Sequence, residues 1–584
     1  MLRTLNYYPS SVNFLFEYSC VIISQILFTM GEILNDPRMR EALDHINGRG
    51  LERRIKELVS IGNVGKGGSR LVLSPPEKDA RLLVAGWMTN AGMKVHEHPL
   101  ALIGTYPGID NNLAPVSLGS HFDTVPVAGR YDGPAGTIGA ISAVEAFNES
   151  GLRFPRPLLV LAMTGEESSR FYQALLGSRA LTHGLTEEDL LRSDSSGTTL
   201  AQAITDFGFN PDSSRKPYLT STLHAFLEMH IEQAATLADS STQIGAVTAI
   251  AATNRQKILL GEGSIPKVDL AKHTDGVRFT VNGQAGHSGG TPMGRMHRAD
   301  GLVPTAQFLE AVAEIQRYFG DEVNLHIVEV DVEGQALNKI PGTTTTTVLL
   351  SGDDPSRVAN ARHSVTNSLD CINDLFSRKK DYPKFNGHAL SIAALGRGEI
   401  PSHSLFDPRV MMPIYQAAGG VILTVHEVAE QFREYRIVGT VGTFRQLDNG
   451  RLELGIDLRG VDSGRRRQAL GVINRRVTEY AGQDGIASYI DPLSSIQEAS
   501  IMDPKLVALV ENSAKALGFR TVRMHSGPGH DAQNFVDLGV PTGMVFIPSR
   551  KGGGSHIPEE YSTARDLENG TRVLALTTAE LASS

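Results

Sequence analysis

The sequence predicts an α/β protein: a discontinuous domain with a mostly parallel central sheet, interrupted by an inserted α+β domain. Three observations carry this. Apolar runs that read as strands alternate with helical patterns up to residue 245 and again after residue 490, as a parallel sheet with crossover helices requires. One of those runs, RPLLVLAMTG (156–165), is continuously apolar, the mark of a strand buried on both faces. Between 246 and 490 the pattern changes, which suits a separate domain set into the first. A chain of 584 residues is in any case too long for one core.

Taken in order, residues 1–35 read as a non-core extension. Its apolar stretch FLFEYSCVIISQILFTM is shorter than the ~20 residues a spanning helix needs, is interrupted by Glu17, and lacks a basic start or a cleavage site. The protein is therefore expected in the cytoplasm, with Met30 as a possible working start. DPRMREALDHINGRGLERRIKELVSIG (36–62) has apolar residues at helical spacing and predicts a helix. DARLLVAGWMTNAGMKVHEH predicts a helix stopped at Gly92, then a strand. PVSLGSHFD is a strand, TIGAISAVEAFNES a helix, and LHAFLEMHIEQ a further strand, completing a first part over 36–245. In the inserted domain (246–490), GVRFTVNGQAGHSGGTPM is a strand, a Gly-rich loop and a helix start. RLELGIDLRGVDSGRRRQALGVINRRVTEYAG is a strand and an amphipathic helix. The segment at about 352–440 reads as an insertion in or beside that domain. LLSGDDPSRVANARHSV weakly echoes IDLRGVDSGRRRQAL, either as a partial repeat of a strand–helix unit or by chance. Over 491–584, DPKLVALVENSAKALG (helix), GVPTGMVFIPS (strand) and a terminal helix resume the first domain.

Composition removes several function classes. A net charge of -9 with no Lys/Arg block argues against a nucleic-acid partner, and no other stretch is long enough for a membrane. There are 2 cysteines, Cys20 and Cys371, in unlike contexts, so a disulfide framework is excluded and any metal must be held by histidine and carboxylates.

Such residues recur at strand ends. His121 closes VSLGSH, and Asp123 lies two residues on, where its carboxylate can accept the other ring N–H of a ligating histidine. Asp132 sits in the turn GRYDGP, aimed back at the strand end. Glu166 and Glu167 follow LVLAMTG; as neighbours leaving a strand they face opposite ways, one free to bind metal and the other to face a water. His230 ends FLEMH, and His556 lies in the loop GGGSHIPEE after the last strand. Taken singly each has a plain explanation: a histidine at a strand end is usually structural, a Glu-Glu pair solvated, an Asp in a Gly/Pro turn a turn-former. The ordered set points instead to two ions about 4 Å apart, bridged by a short carboxylate such as Asp132, with Glu166 as general base.

These residues also carry a family likeness. GSHFDTVPVAGRYDGPAG, EESSRFYQALLGSRAL, MHIEQ, GQAGHSGGTPM, SGPGHDA and PSRKGGGSHIPEE together resemble the dinuclear amidohydrolases typified by N-carbamoyl-L-amino-acid hydrolase, beta-ureidopropionase and allantoate amidohydrolase, within a wider zinc aminoacylase and carboxypeptidase family. The resemblance implies His121, Asp132, Glu167, His230 and His556 as ligands of two divalent ions per subunit, zinc first, with manganese, cobalt or nickel as alternatives. Asp132 would bridge, Glu166 would be the base, and Asp123 would orient His121. His287 of GHSG would stabilise an oxyanion, from its own or a partner subunit. Gln233, Asn338 and Arg459 would contact substrate, Arg459 by clamping its carboxylate. The inserted domain would be a lid and the dimer surface of a homodimer.

The implied reaction is hydrolysis of a linear amide, foremost an N-carbamoyl amino acid giving amino acid, carbon dioxide and ammonia, with a water activated between the two ions. The alternatives are allantoate, or an N-acyl amino acid or dipeptide. The chain departs from the family pattern at Ser168 and Ala234, in the delayed Arg298 and Asp300, and in Ser351 after IPGTTTTTVLL, where the clamp arginine is expected.

Overall fold

Four short strands, Leu158–Met163, Val116–His121, Ala225–Ile231 and Thr542–Ile547, lie side by side and parallel. Every residue of the last three is buried, and apart from His121, Glu228 and His230 their side chains are apolar or small. They form the middle of a nine-stranded sheet. On one side Ala101–Tyr106 and Lys94–His98 extend it antiparallel. On the other, Ile244–Ile250 runs antiparallel to Thr542–Ile547 and parallel to Thr521–Ser526. This is the α/β architecture expected, with its parallel strands at the centre. A computed structural model describes residues 31–584 apart from 65–66, 220–222, 295–297, 379–389, 396–404, 484 and 493–497. The N-terminal extension to residue 30, with Cys20, lies outside the described residues.

The helix Pro134–Glu149 is buried almost all round and crosses the sheet beneath the terminal helix Ala564–Ser583. Its approach needs glycine: a Cβ at Gly136 would stand 2.0 Å from the Met229 carbonyl oxygen. The terminal helix starts on a capping box in which Thr563 and Asp566 bond each other's backbone N–H. The helix expected over 36–62 is two, Pro37–His45 and Gly48–Ser60. Between them Ile46 turns extended and is buried, and Asn47 caps the second helix by accepting from the Gly50 N–H at 2.8 Å. Helical spacing on both sides hides this cap within one apolar stripe.

Ile244–Ile250 still belongs to the central sheet, and Ala252–Leu260 already pairs in another. The middle of the chain forms two four-stranded antiparallel sheets. One orders Val438–Gln446, Leu452–Gly460, Ala252–Leu260 and Ser488–Pro492. The other orders Asn324–Val332, Thr343–Gly352, His273–Asn282 and Leu390–Ala394. Helices Leu302–Phe319, Pro355–Phe376, Pro408–Gln431 and Ser463–Gln483 pack with them around one shared core. The described parts of the 352–440 segment thus include a helix and a strand of one sheet, the short strand Leu405–Phe406 paired with Lys267–Val268, and a helix and the start of strand Val438–Gln446 of the other. Both members of the weak sequence echo are a strand followed by a helix. Among the described residues no helix is long and apolar enough to cross a membrane.

One buried histidine of the outer strands sets an acid limit on stability. His98 is buried at the end of Lys94–His98, and its Nδ1 accepts from the Leu100 N–H at 3.3 Å. Burial above all holds its pKa down to about 4, against 6.5 for a solvated imidazole. Between those values the unfolded chain binds a proton that the folded chain refuses. Stability is therefore full above 6.5 and falls as the pH drops toward 4, by a total on the order of 3 kcal/mol. In His98→Gln, the slope of urea-unfolding free energy against pH over this window is expected to flatten by about one proton. An unchanged slope would rule His98 out as its source.

Candidate metal centre

The four parallel strands deliver their carboxyl ends to one crevice, where ligands of open α/β sheets collect. His121 ends its strand, Glu166 and Glu167 follow Met163 after a turn at Gly165, and His230 lies one residue before its strand's end. The loop after Ile547 returns His556 to the same crevice. Asp132 comes from the turn before the Pro134 helix. There Gly133 has φ +80°, and a Cβ on it would stand 2.3 Å from the His121 ring. Only glycine lets this turn bring its carboxylate so near the strand end.

Two groups of possible ligands share Asp132. The ligand atoms of His121, Asp132 and His230 lie within 4.8 Å of one another, and so do those of Asp132, Glu167 and His556. The two oxygens of Asp132 divide between them. Oδ1 stands 3.7 Å from His121 Nε2 and 3.2 Å from His230 Nε2, and Oδ2 stands 3.5 Å from His556 Nε2. Glu167 Oε1 lies 3.1 Å from His556 Nε2. The orientation of each ring is held from behind: His230 Nδ1 lies 2.8 Å from the Ile231 carbonyl oxygen, and His121 Nδ1 3.2 Å from that of Asp123. In both cases Nε2 faces the centre.

The electrostatics fit a cation. Burial opposes the charged form of His121, but Asp123 and Asp132 outweigh it and hold its pKa well above the usual range. At His556, burial is likewise overcome by Glu167 and Asp132, and the pKa rises to about 9. Burial would raise the Asp132 pKa, yet His121 and His230 hold it well below the usual range, so this carboxylate stays ionised. Three imidazoles among carboxylates, with no thiolate, form a nitrogen–oxygen donor set suited to zinc and its first-row neighbours.

Asp123 faces His121 Nδ1 at 3.4 Å and accepts from the backbone N–H groups of Glu166 (3.2 Å) and Glu167 (3.3 Å). It therefore fixes one ring and the Glu-Glu pair together. Glu166 stands outside both ligand groups, with Oε2 3.9 Å from His121 Nε2. Burial foremost, then the neighbouring Glu167 carboxylate against the pull of His121, holds its pKa well above the usual range.

The loop 286–290 brings His287 over this centre, its ring edge-on to His556 at 4.9 Å. His287 Nδ1 accepts from the N–H groups of both Gly289 and Gly290, each at 3.1 Å. The ring proton must then sit on Nε2, which makes that nitrogen a donor. Burial, then Arg459 and His556, holds the His287 pKa well below its usual value, so the ring is neutral.

The three residues expected to contact substrate are placed differently from one another. Gln233, at φ +55°, turns its Nε2 to Asp132 Oδ2 at 2.6 Å and to Ser555 at 3.3 Å. It positions the shared carboxylate instead of lining the cavity. Asn338 lines a cavity of about 890 Å³ that also touches His556, Ser168 and Tyr172, and its backbone oxygen accepts from Ser288 N–H at 2.9 Å. Arg459 is buried beside the site, donating from Nε to Asp457 at 2.9 Å and from Nη1 to the Gly527 oxygen at 3.3 Å. Two guanidinium groups line the cavity: Arg255, on the adjacent strand and 3.8 Å from Asp457, and Arg445.

Sequence reasoning missed Arg255, Ser555 and Glu560. Glu560 Oε1 accepts three successive N–H groups, of Arg130, Tyr131 and Asp132, at 2.8, 2.6 and 3.1 Å, and so shapes the Asp132 turn. Ser555 bonds both Asp132 and Glu560. Both lie within the motif that supplied His556, and that proximity was the available signal. His530 of SGPGHDA meets the His230 ring edge-on, with the ring centres 4.5 Å apart.

Comparison with known proteins places the chain in a family. The model for peptidase family M20/M25/M40 matches residues 117–580. An N-carbamoyl-L-amino-acid amidohydrolase of Paenarthrobacter aurescens is 27% identical over 528 residues, 90% of this chain and 95% of that protein. An N-carbamoyl-L-amino acid amidohydrolase of Geobacillus stearothermophilus is 34% identical over 302 residues, 51% of this chain and 67% of its own length. Among solved structures, a hydantoinase/carbamoylase family amidase from Burkholderia multivorans shares the fold with a TM-score of 0.56 and 22% identity, covering 92% of this chain and 98% of its own.

Proposed function

The chain belongs to peptidase family M20/M25/M40, and from that premise we propose that it hydrolyses an N-carbamoyl L-amino acid to the amino acid, carbon dioxide and ammonia. It is a hydrolase of carbon–nitrogen bonds in linear amides. The observation that carries the proposal is the single carboxylate of Asp132 shared by two ligand groups, with Glu166 beside them and a neutral histidine opposite.

His121, Asp132 and His230 would hold one divalent ion, and Asp132, Glu167 and His556 the other, zinc first and manganese, cobalt or nickel as alternatives. When bound, such ions supply Lewis acidity and lower the pKa of water between them. Glu166 takes the proton of the attacking water and returns it to the leaving nitrogen. His287 donates its Nε2–H to the substrate oxygen as negative charge develops there. Asp123 keeps the His121 ring and the Glu-Glu backbone in register. Arg255, beside Asp457, holds the substrate carboxylate, and Asn338 offers its amide from the cavity wall. The exposed thiol of Cys371 suits a reducing compartment, and we place the protein in the cytoplasm.

The test is ammonia release by metal-reconstituted protein from N-carbamoyl-L-amino acids, N-carbamoyl-beta-alanine, allantoate and an N-acetyl amino acid, with deacylation of the last followed by amine release. Turnover of the first group above the others is expected. Preference for allantoate would move the assignment within the ureido substrates. Cleavage of the N-acetyl compound alone would overturn it.

A further inference from the structure

The two antiparallel sheets of the middle region are built on one plan. One set of elements runs strand Ala252–Leu260, helix Pro408–Gln431, strands Val438–Gln446 and Leu452–Gly460, helix Ser463–Gln483 and strand Ser488–Pro492. The other runs strand His273–Asn282, helix Leu302–Phe319, strands Asn324–Val332 and Thr343–Gly352, helix Pro355–Phe376 and strand Leu390–Ala394. Each is strand, helix, strand, strand, helix, strand, and each sheet orders its strands second, third, first, fourth. The second set lies wholly between the first strand and first helix of the first set, as an inner unit inside an outer one.

The pairing registers coincide residue by residue. Ala252 faces Gly460 in the outer unit, and His273 faces Gly352 in the inner. Eight residues on, Leu260 faces Ser488 and Val281 faces Leu390. Next to the terminal glycine, Arg459 faces Val438 and Ser351 faces Asn324. Even the bulge repeats: the outer register shifts after Val441, opposite Ile456, and the inner after Ile327, opposite Val348, each three residues before Arg459 or Ser351. Bulges are specific local features, not incidental ones. The weak echo in the sequence spans these same third strands and second helices, and so marks a repeat. It also explains Ser351: this is the inner counterpart of Arg459.

The units meet through equivalent parts. The first helix of one packs on the first helix of the other, where Gly419 admits the Ala306 carbonyl and Arg317 donates to Gln416 at 2.8 Å. The second strands lie edge to edge, and the Tyr415 hydroxyl reaches both, contacting Ile327 at 3.3 Å and Gln446 at 3.1 Å. Like meeting like is the geometry of a two-fold interface between identical subunits, here inside one chain. Their contributions to the catalytic centre differ. The inner unit brings His287 and Asn338; the outer brings Arg255, Asp457 and Arg459. Ser288 bonds Asp457 across the boundary.

We propose that the region from Ala252 to Pro492 is a duplicated lid whose inner copy stands where a second subunit would, so that the site is complete in a single chain. This replaces the homodimer expected from the sequence, and for the roles of His287 and Glu166 it rests on the function proposed above. Two measurements test it. Light scattering after size exclusion, from sub-micromolar to high micromolar protein, should give the single-chain mass of 63.0 kDa throughout. Co-expressing Glu166→Gln with His287→Gln should give no more ammonia release than either variant alone. If partners shared residues, random dimers would recover about a quarter of wild-type activity, the statistical fraction of intact sites. Such recovery, or a dimeric mass, would overturn the proposal. If wild-type protein turned over none of the compounds, the substrate assignment would fail, and mass alone would decide here: 63.0 kDa in favour, twice that against.

Discussion

Replacing Glu166 with glutamine is expected to lower kcat by ~10²–10⁴, the range for loss of a general base, while the bound metal stays at the wild-type ratio. Glu166 lies 3.9 Å from His121 Nε2 yet belongs to neither ligand group, so its charge is not needed to hold an ion. Its raised pKa, caused first by burial and then by Glu167, shows a carboxyl group whose proton is held far more readily than in water. That is what a group needs if it is to take a proton and return it within one turnover. The amide has nearly the same shape and removes an ionisable group whose charged form is opposed by burial and by Glu167. The thermal midpoint of the variant should therefore be equal to or above that of the wild type. KM should change little, because no ground-state contact to substrate is lost. Metal analysis, calorimetry and ammonia release on one preparation check all three. Unimpaired turnover would remove Glu166 from the proton transfers, and loss of metal would mark it as a ligand.

The places of His121, Glu167 and His230 were legible because each stands where an apolar run stops. VSLGSH, LVLAMTG and FLEMH are strands buried on both faces, and the residue that breaks such a run is placed by the sheet itself. Asp132 was legible for a different reason: a carboxylate before Gly-Pro has its backbone fixed by the turn. Glu560 was not. It serves three N–H groups more than 420 residues away, and nothing in a local pattern encodes that meeting. Gln233 was expected at the substrate from the resemblance of HIEQ to the ureido-type enzymes. Its left-handed backbone, uncommon outside glycine, instead turns the side chain to Asp132. The segment 352–440 stayed opaque because the two lid units keep a common pairing register with few common residues. Strand pairing depends on alternation and length more than on identity, so the repeat shows in the backbone and only faintly in the sequence.

Replacing Asp132 with asparagine is expected to reduce bound metal from two ions per chain to one or none, with activity falling to background. An asparagine keeps the size of the side chain but offers one neutral acceptor oxygen in place of two charged ones. Both ligand groups lose at once, because Oδ1 serves His121 and His230 while Oδ2 faces His556. The surroundings add to the effect. Gln233 and Ser555 both donate to Oδ2, and an amide nitrogen at that position would meet donors on every side. The side chain must then flip or break those bonds, and a buried donor left unmatched costs ~1–3 kcal/mol. By contrast, Gln233→Ala keeps the carboxylate and removes only one of its supports. It should keep both ions at saturating metal but bind them more weakly, by roughly 10–100-fold, as for other groups that hold a ligand in place. Metal titration followed by calorimetry separates the two variants. If the asparagine variant still bound two ions per chain, Asp132 would not be the shared ligand, and the dinuclear assignment would fall with it.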